Sequence, residues 1–151
     1  MSRRVWLLGG LLIFGLPLAA RLSRRGEQGR CALDGAAIEP RFRVRLVNAR
    51  GVNRTFCSLT CLANWLSHET DIVDLYLTDE QSGREIDAES AWLVRSSVIT
   101  HPASGNKIHC FARREDALRH AGIARGQLLT EIEKPWRVAG QHFKKQPSGE
   151  E

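Results

Sequence analysis

"RFRVRLVNARGVNRTFCSLTCLANWL", Arg41 to Leu66, decides the fold. Its first seven residues alternate: Phe42, Val44 and Leu46 on one face, Arg41, Arg43 and Arg45 on the other. That is the period of a half-buried strand. "NARG" supplies a turn, and "VNRTFC" returns as the second arm of a hairpin. Ser58 then stands where a helix N-cap belongs, followed by Leu59, Leu62, Ala63 and Leu66 at helical spacing. Cys57 and Cys61 flank that junction.

Such a pair raises a chemical question, since a core needs no sulfur at this point. Residues i and i+4 on a helix hold their Cβ atoms about 5–6 Å apart, whereas a disulfide needs roughly 3.5–4.5 Å. A metal ion between two thiolates accepts the wider spacing. Cys31 lies just before the hairpin, giving C-x25-C-x3-C. The base and end of a hairpin meet, so Cys31, Cys57 and Cys61 converge in this reading. The start of a helix also favours the thiolate form. Plain buried thiols or a disulfide are the bland alternative.

Beyond the first helix the order recurs. "IVDLYLTD" reads as a strand, and "DAESAWLV" as a short helix or loop. "VIT" and "NKIHCFA" flank the turn "HPASG" as a second hairpin, "REDALRHAG" is a helix closed at Gly122, and "QLLTEIE" is a last strand. A shift of 53 residues sets Asn53 on Asn106 and Cys57 on Cys110. The expected fold is α+β, two related ββαβ halves (hairpin, helix, strand) after an N-terminal apolar anchor helix. His109 and Cys110 occupy the second-half junction and are the candidates for a fourth ligand. His101 and His68 are weaker ones. Three sulfurs suffice for Cu(I), while Zn(II) takes four N or S ligands. Met1 is the sole methionine, which excludes a thioether copper site.

Charge separates the ends from the body. Residues 1–30 carry six arginines and one glutamate, and residues 31–151 carry 16 basic and 16 acidic side chains. A neutral body argues against nucleic-acid binding. The positive charge flanks "VWLLGGLLIFGLPLAA", Val5 to Ala20, which reads as an uncleaved membrane anchor or a signal peptide. No cysteine at its end offers a lipid attachment point. The expected organisation is 1–23 anchor or signal segment, 24–30 linker, 31–135 metal-binding domain and 136–151 disordered tail. The acidic residues Asp79, Glu80, Asp87 and Glu89 around "QSG" read as a solvated turn. No nucleophile–base pair or phosphate loop is present, so an enzyme is not expected.

"CALDG", the hairpin and "FCSLTC" together resemble the TRASH-type metal-binding module. "DLYLTDEQSGREIDAESAWLV" and "SGNKIHCFARREDALRHA" resemble, in the same order, segments of the NosL-like family of nitrous-oxide-reductase accessory proteins. The resemblance spans about residues 31–133. It implies an α+β fold of two ββαβ halves and a copper-handling protein that delivers Cu(I) to a copper enzyme such as nitrous oxide reductase. It also implies a membrane-tethered or periplasmic protein, which with the apolar segment gives a membrane-anchored domain on the periplasmic side of the bacterial inner membrane. The arginines after the apolar segment point weakly the other way, to the cytoplasmic side. The family's second cysteine and methionine are replaced in "CALDGAAI", and Ala103 and Ser104 stand where a second-half methionine is expected. Copper or zinc on Cys31, Cys57 and Cys61 with His109 or Cys110 is thus one expectation. A zinc-stabilised interaction module without metal transfer is the other. The C-x3-C spacing lacks the C-x2-C of thiol–disulfide redox proteins.

Overall fold

The computed structural model describes residues 29–68 and 71–140. The expected anchor at 5–20, most of the linker, and the tail beyond 140 lie outside the described residues. Among the described residues, no helix is long and apolar enough to cross a membrane.

Strands β1 (Val44–Asn48) and β2 (Asn53–Phe56) form the expected antiparallel hairpin, with Val44 opposite Phe56 and Val47 opposite Asn53. Asn48 closes it: its Oδ1 accepts from the backbone N–H of Arg50 at 3.1 Å and of Val52 at 3.0 Å. Gly51 takes the left-handed conformation, φ 73°, that the turn requires. Helix α1 (Leu59–Leu66) starts at Ser58, whose hydroxyl accepts from the Cys61 N–H at 3.2 Å. Its apolar side, Leu59, Leu62 and Leu66, is buried. Strand β3 (Ile72–Thr78) pairs with the other side of β1, and β4 (Glu85–Asp87) pairs with β3. The sheet order is β2-β1-β3-β4.

The second half is β5 (Trp92–Arg95), β6 (Ile108–Phe111), α2 (Arg114–Ile123) and β7 (Gln127–Leu128), in sheet order β6-β5-β7. In both halves the second hairpin strand lies on one side of the first, and the strand after the helix lies on the other. The α+β fold of two ββαβ halves is therefore present. Its details depart from the sequence expectation. The first arm is Trp92–Arg95, not Val98–Thr100, because Leu93 and Val94 are buried on opposite faces and leave no alternation to read. The last strand keeps only two residues, and Glu131–Glu133 forms a 3-10 turn.

One main core gathers Leu46, Phe56, Leu62, Leu75 and Leu77 of the first half with Leu93 and Cys110 of the second. A smaller cluster of Val94, Phe111 and Ala117 lies under α2. Helix α3 (Pro135–Val138) packs on α1 and brings Trp136, 0% exposed, into the main core. The domain thus continues past the boundary expected at residue 135, because a buried indole holds the chain there.

The halves are tied by Asp79 and Glu80, which are not the solvated turn the sequence suggested. Asp79 is buried and accepts from the N–H groups of Ser82 and Ala112, both at 3.1 Å, and from the Ser82 hydroxyl. Glu80 accepts from the Cys110 N–H at 3.1 Å, and its other oxygen meets His109 Nδ1 at 3.0 Å. Burial works against the Asp79 carboxylate, but the donors outweigh it and hold its pKa below the ordinary value. Asp79→Ala is expected to cost about 2–3 kcal/mol, because it strands buried donors of both halves. Its folded pKa is depressed, so its contribution is complete above about pH 4 and fades as pH falls through the folded value. Urea midpoints of wild type and variant at pH 7 and pH 3 check both statements. A variant as stable as wild type at pH 7 would show that the clamp carries nothing.

Helix α2 runs through Gly122 to Ile123 with Ala124 as its C-cap, and Arg125 takes the left-handed turn, φ 49°. The glycine the fold needs is Gly126. A Cβ there would lie 2.7 Å from the Arg95 carbonyl oxygen and 2.8 Å from Val94 Cγ1. Gly126→Ala must push the chain off β5, and a loss of about 1–3 kcal/mol is expected from overpacking. Gly122→Ala meets nothing within 4 Å and sits inside the helix, so it should raise the melting temperature or leave it unchanged. Thermal melts of the two variants should move in opposite directions, or only the first should move.

Candidate metal centre

Three segments build the site. The chain before β1 folds into a turn in which the Cys31 N–H donates to Ala36 O at 2.8 Å and the Gly35 N–H to Cys31 O at 2.9 Å. The Ala32 N–H donates to Thr55 O at 2.8 Å and pins that turn to β2. Cys57 follows the end of β2, and Cys61 lies in the first turn of α1. Cys57 therefore sits outside the helix, and the two cysteines are not i and i+4 on one helical face. Their sulfurs are 3.5 Å apart, and all four cysteines are free thiols.

One sulfur of each of Cys31, Cys57 and Cys61 and a carboxylate oxygen of Asp34 all lie within 4.8 Å of one another. The thiols are buried; Asp34 is exposed on the turn. Asp34 Oδ2 accepts from Cys61 Sγ at 3.4 Å and from Cys57 Sγ at 3.9 Å. Its other oxygen accepts from the Ala36 N–H at 3.0 Å. That backbone donor holds the Asp34 carboxyl below its ordinary pKa, against a desolvation cost. Burial pushes the Cys57 thiol up, and the neighbouring Cys61 and Cys31 push the same way. Burial also raises Cys61, although contacts from Ser58 and Cys57 oppose it. Crowded buried thiols beside a carboxylate are an arrangement that a cation relieves. Thiolates about 2.3 Å from one ion stand roughly 3.8 Å apart, which the 3.5 Å sulfur–sulfur distance approaches.

Asp34 was not among the residues picked out from the sequence. The signal was present: Asp-Gly is turn chemistry, and here it returns a carboxylate onto the thiols. His109 and Cys110 do not join the group. The helices and strand ends of the two halves align with an offset of 55 rather than 53: Phe56 matches Phe111 and Ser58 matches Arg113. Cys110 thus lies inside β6 and points into the main core, where burial and then Glu80 and Asp79 push its thiol well up. His109 points to the other face, between Glu80 and Val98 O (3.2 Å), with its ring 4.1 Å from that of His120. His68 is exposed after α1. His101 does approach the site, with Nδ1 3.9 Å from Cys57 Sγ.

No family model matches the chain. No curated protein matches it either. Among solved structures, the fold expected from the NosL resemblance is found: the chain is similar in fold to the copper chaperone NosL from Shewanella denitrificans, with 23% identity and a TM-score of 0.59 over 71% of this chain and 90% of that one.

Proposed function

We propose that this protein is a non-catalytic metal carrier that binds a soft cation, Cu(I) or Zn(II), through Cys31, Cys57 and Cys61 and hands it to another protein. The observation that carries the reading is the convergence of three buried thiols and one carboxylate from three separate segments. Thiolate donors select Cu(I) and Zn(II) over hard cations. Asp34, the exposed member of the group, stands on the solvent side and offers an arriving cation a negative first contact. The likeness to a copper chaperone in fold supports the carrier role. The recipient in this proposal is a copper enzyme of the nitrous oxide reductase kind. The apolar segment 5–20 would tether the carrier to the membrane, with the domain on the periplasmic side.

A carrier must survive without its cargo, and the fold favours that. The cysteines are members of the main core, but its largest fully buried side chains are Trp136, Phe56, Leu46, Leu62 and Leu77, which pack without a metal ion. A purely structural zinc module would instead unfold when stripped, since its metal binding is its folding free energy. Stripping the full chain with a chelator should therefore leave the near-UV aromatic signal and a cooperative melt intact. The melting temperature should fall only by the mass-action amount that ligand removal dictates. Loss of the near-UV signal on stripping would favour the structural zinc reading.

A further inference from the structure

The loop between β5 and β6 is fixed to the metal site by side chains that the carrier reading leaves unused. Asn106 is buried, 2% exposed. Its Nδ2 donates to Thr100 Oγ1 at 2.6 Å and to Ile108 O at 2.8 Å. Its Oδ1 accepts from the Thr60 hydroxyl at 3.0 Å and from the Thr60 N–H at 3.2 Å. Ser104 Oγ meets Ser58 Oγ at 3.0 Å. Thr60 and Ser58 lie between and beside Cys57 and Cys61, so the second half of the molecule grips the turn that presents two of the thiols. The residue this grip delivers is His101, bridged in backbone pairing to Asn106 and half-buried. Its Nδ1 stands 3.9 Å from Cys57 Sγ.

Cys57 thus has two flanking donors from different parts of the chain: a carboxylate from the turn before β1, which lies within 4.8 Å of all three thiols, and an imidazole from the second half, which approaches Cys57. They are not equivalent chemically. Trigonal Cu(I) is satisfied by three sulfurs. Tetrahedral Zn(II) needs a fourth donor, and Cys3His is an established zinc set, while carboxylate is the harder ligand. We infer that His101 is the residue that sets metal choice, completing a Cys3His shell for Zn(II) while remaining outside a three-thiolate Cu(I) site. Asp34 then acts at the entrance and does not stay as a ligand in the zinc form. The inference rests on the metal-carrier reading and deepens it by assigning the fourth donor.

The test measures Zn(II) and Cu(I) affinities by chelator competition for full-length wild type, His101→Ala and Asp34→Asn. Nitrogen-15 resonances of the histidine rings are followed on Zn(II) addition. His101→Ala should weaken Zn(II) at least about tenfold, the scale that even outer-shell partners of metal ligands carry. Cu(I) should change less than about threefold, and an unchanged Cu(I) affinity also shows that the variant is folded. In wild type, one ring nitrogen of His101 should shift on Zn(II) binding. Equal Zn(II) affinity in wild type and His101→Ala, or loss of Zn(II) in Asp34→Asn alone, overturns the inference and leaves the carrier reading standing. Failure of wild type to bind either ion overturns both.

Discussion

Replacing Cys57 and Cys61 together by serine should abolish metal binding. Structural four-ligand zinc sites carry about 10–16 kcal/mol of apparent binding free energy at neutral pH. Shared over four ligands, that is about 2.5–4 kcal/mol each, and two thiolates account for roughly 5–8 kcal/mol. At about 1.4 kcal/mol per factor of ten, the dissociation constant should rise by roughly 3.5 to 6 orders of magnitude. The sulfurs stand 3.5 Å apart and share Asp34 as a neighbour, so their loss removes one face of the site at once. Serine keeps the size and lets Ser58 still cap α1, so the fold should persist. The measurement is metal stoichiometry after desalting, with circular dichroism on the same sample. A folded double variant that retains one equivalent of metal would sink the site. Cys110→Ser, in contrast, should leave the stoichiometry unchanged, because its thiol lies in the main core.

The first half was legible because each signal there is local. The alternation of β1, the turn "NARG" and the Ser58 cap each lie within a few residues, and each matches what the chain does. Convergence of Cys31 with Cys57 could be argued from the hairpin alone. The second half was harder for physical reasons. Strand β5 is covered on both faces, so its pattern resembles a helix start as readily as a strand. The connection from Arg95 to Ile108 is long, and the shift of 53 that sets Asn53 on Asn106 and Cys57 on Cys110 falls two short of the 55 that aligns the strands and helices. That slip carried His109 and Cys110 to a junction they do not occupy. Asp79, Glu80 and Trp136 act through partners far away in sequence, and composition rates them as surface or tail. Their burial follows from tertiary packing, which no local window contains.

Metal affinity should rise steeply with pH, by at least about two powers of ten per unit across the neutral range. Burial, reinforced by neighbouring thiols, raises the Cys57 thiol far above its ordinary pKa; burial also raises Cys61. Both therefore hold their protons in the metal-free protein near pH 7. A metal ion binds thiolates, so it must expel the protons its cysteine ligands carry, those two at least. Metal and protons compete, and each unit of pH removes about a factor of ten per proton displaced. The sign is fixed: binding weakens as pH falls and tightens as it rises, until pH approaches the raised thiol values. Asp34 adds nothing to this slope near neutrality, because its carboxyl lies below the ordinary carboxylate range and is already ionised. The same shifts act on folding. A thiol whose folded pKa is raised supports the metal-free fold fully below the unfolded value of about 8.5. That support is lost as pH rises through the folded value, so the metal-free protein should soften above about pH 8.5 while the loaded one does not. Calorimetric titrations in buffers of different ionisation enthalpy count the protons directly. Cys57→Ser should release one proton fewer and show a slope shallower by about one. A pH-independent affinity, with no proton release, would mean that the thiols are already ionised or that metal binds elsewhere.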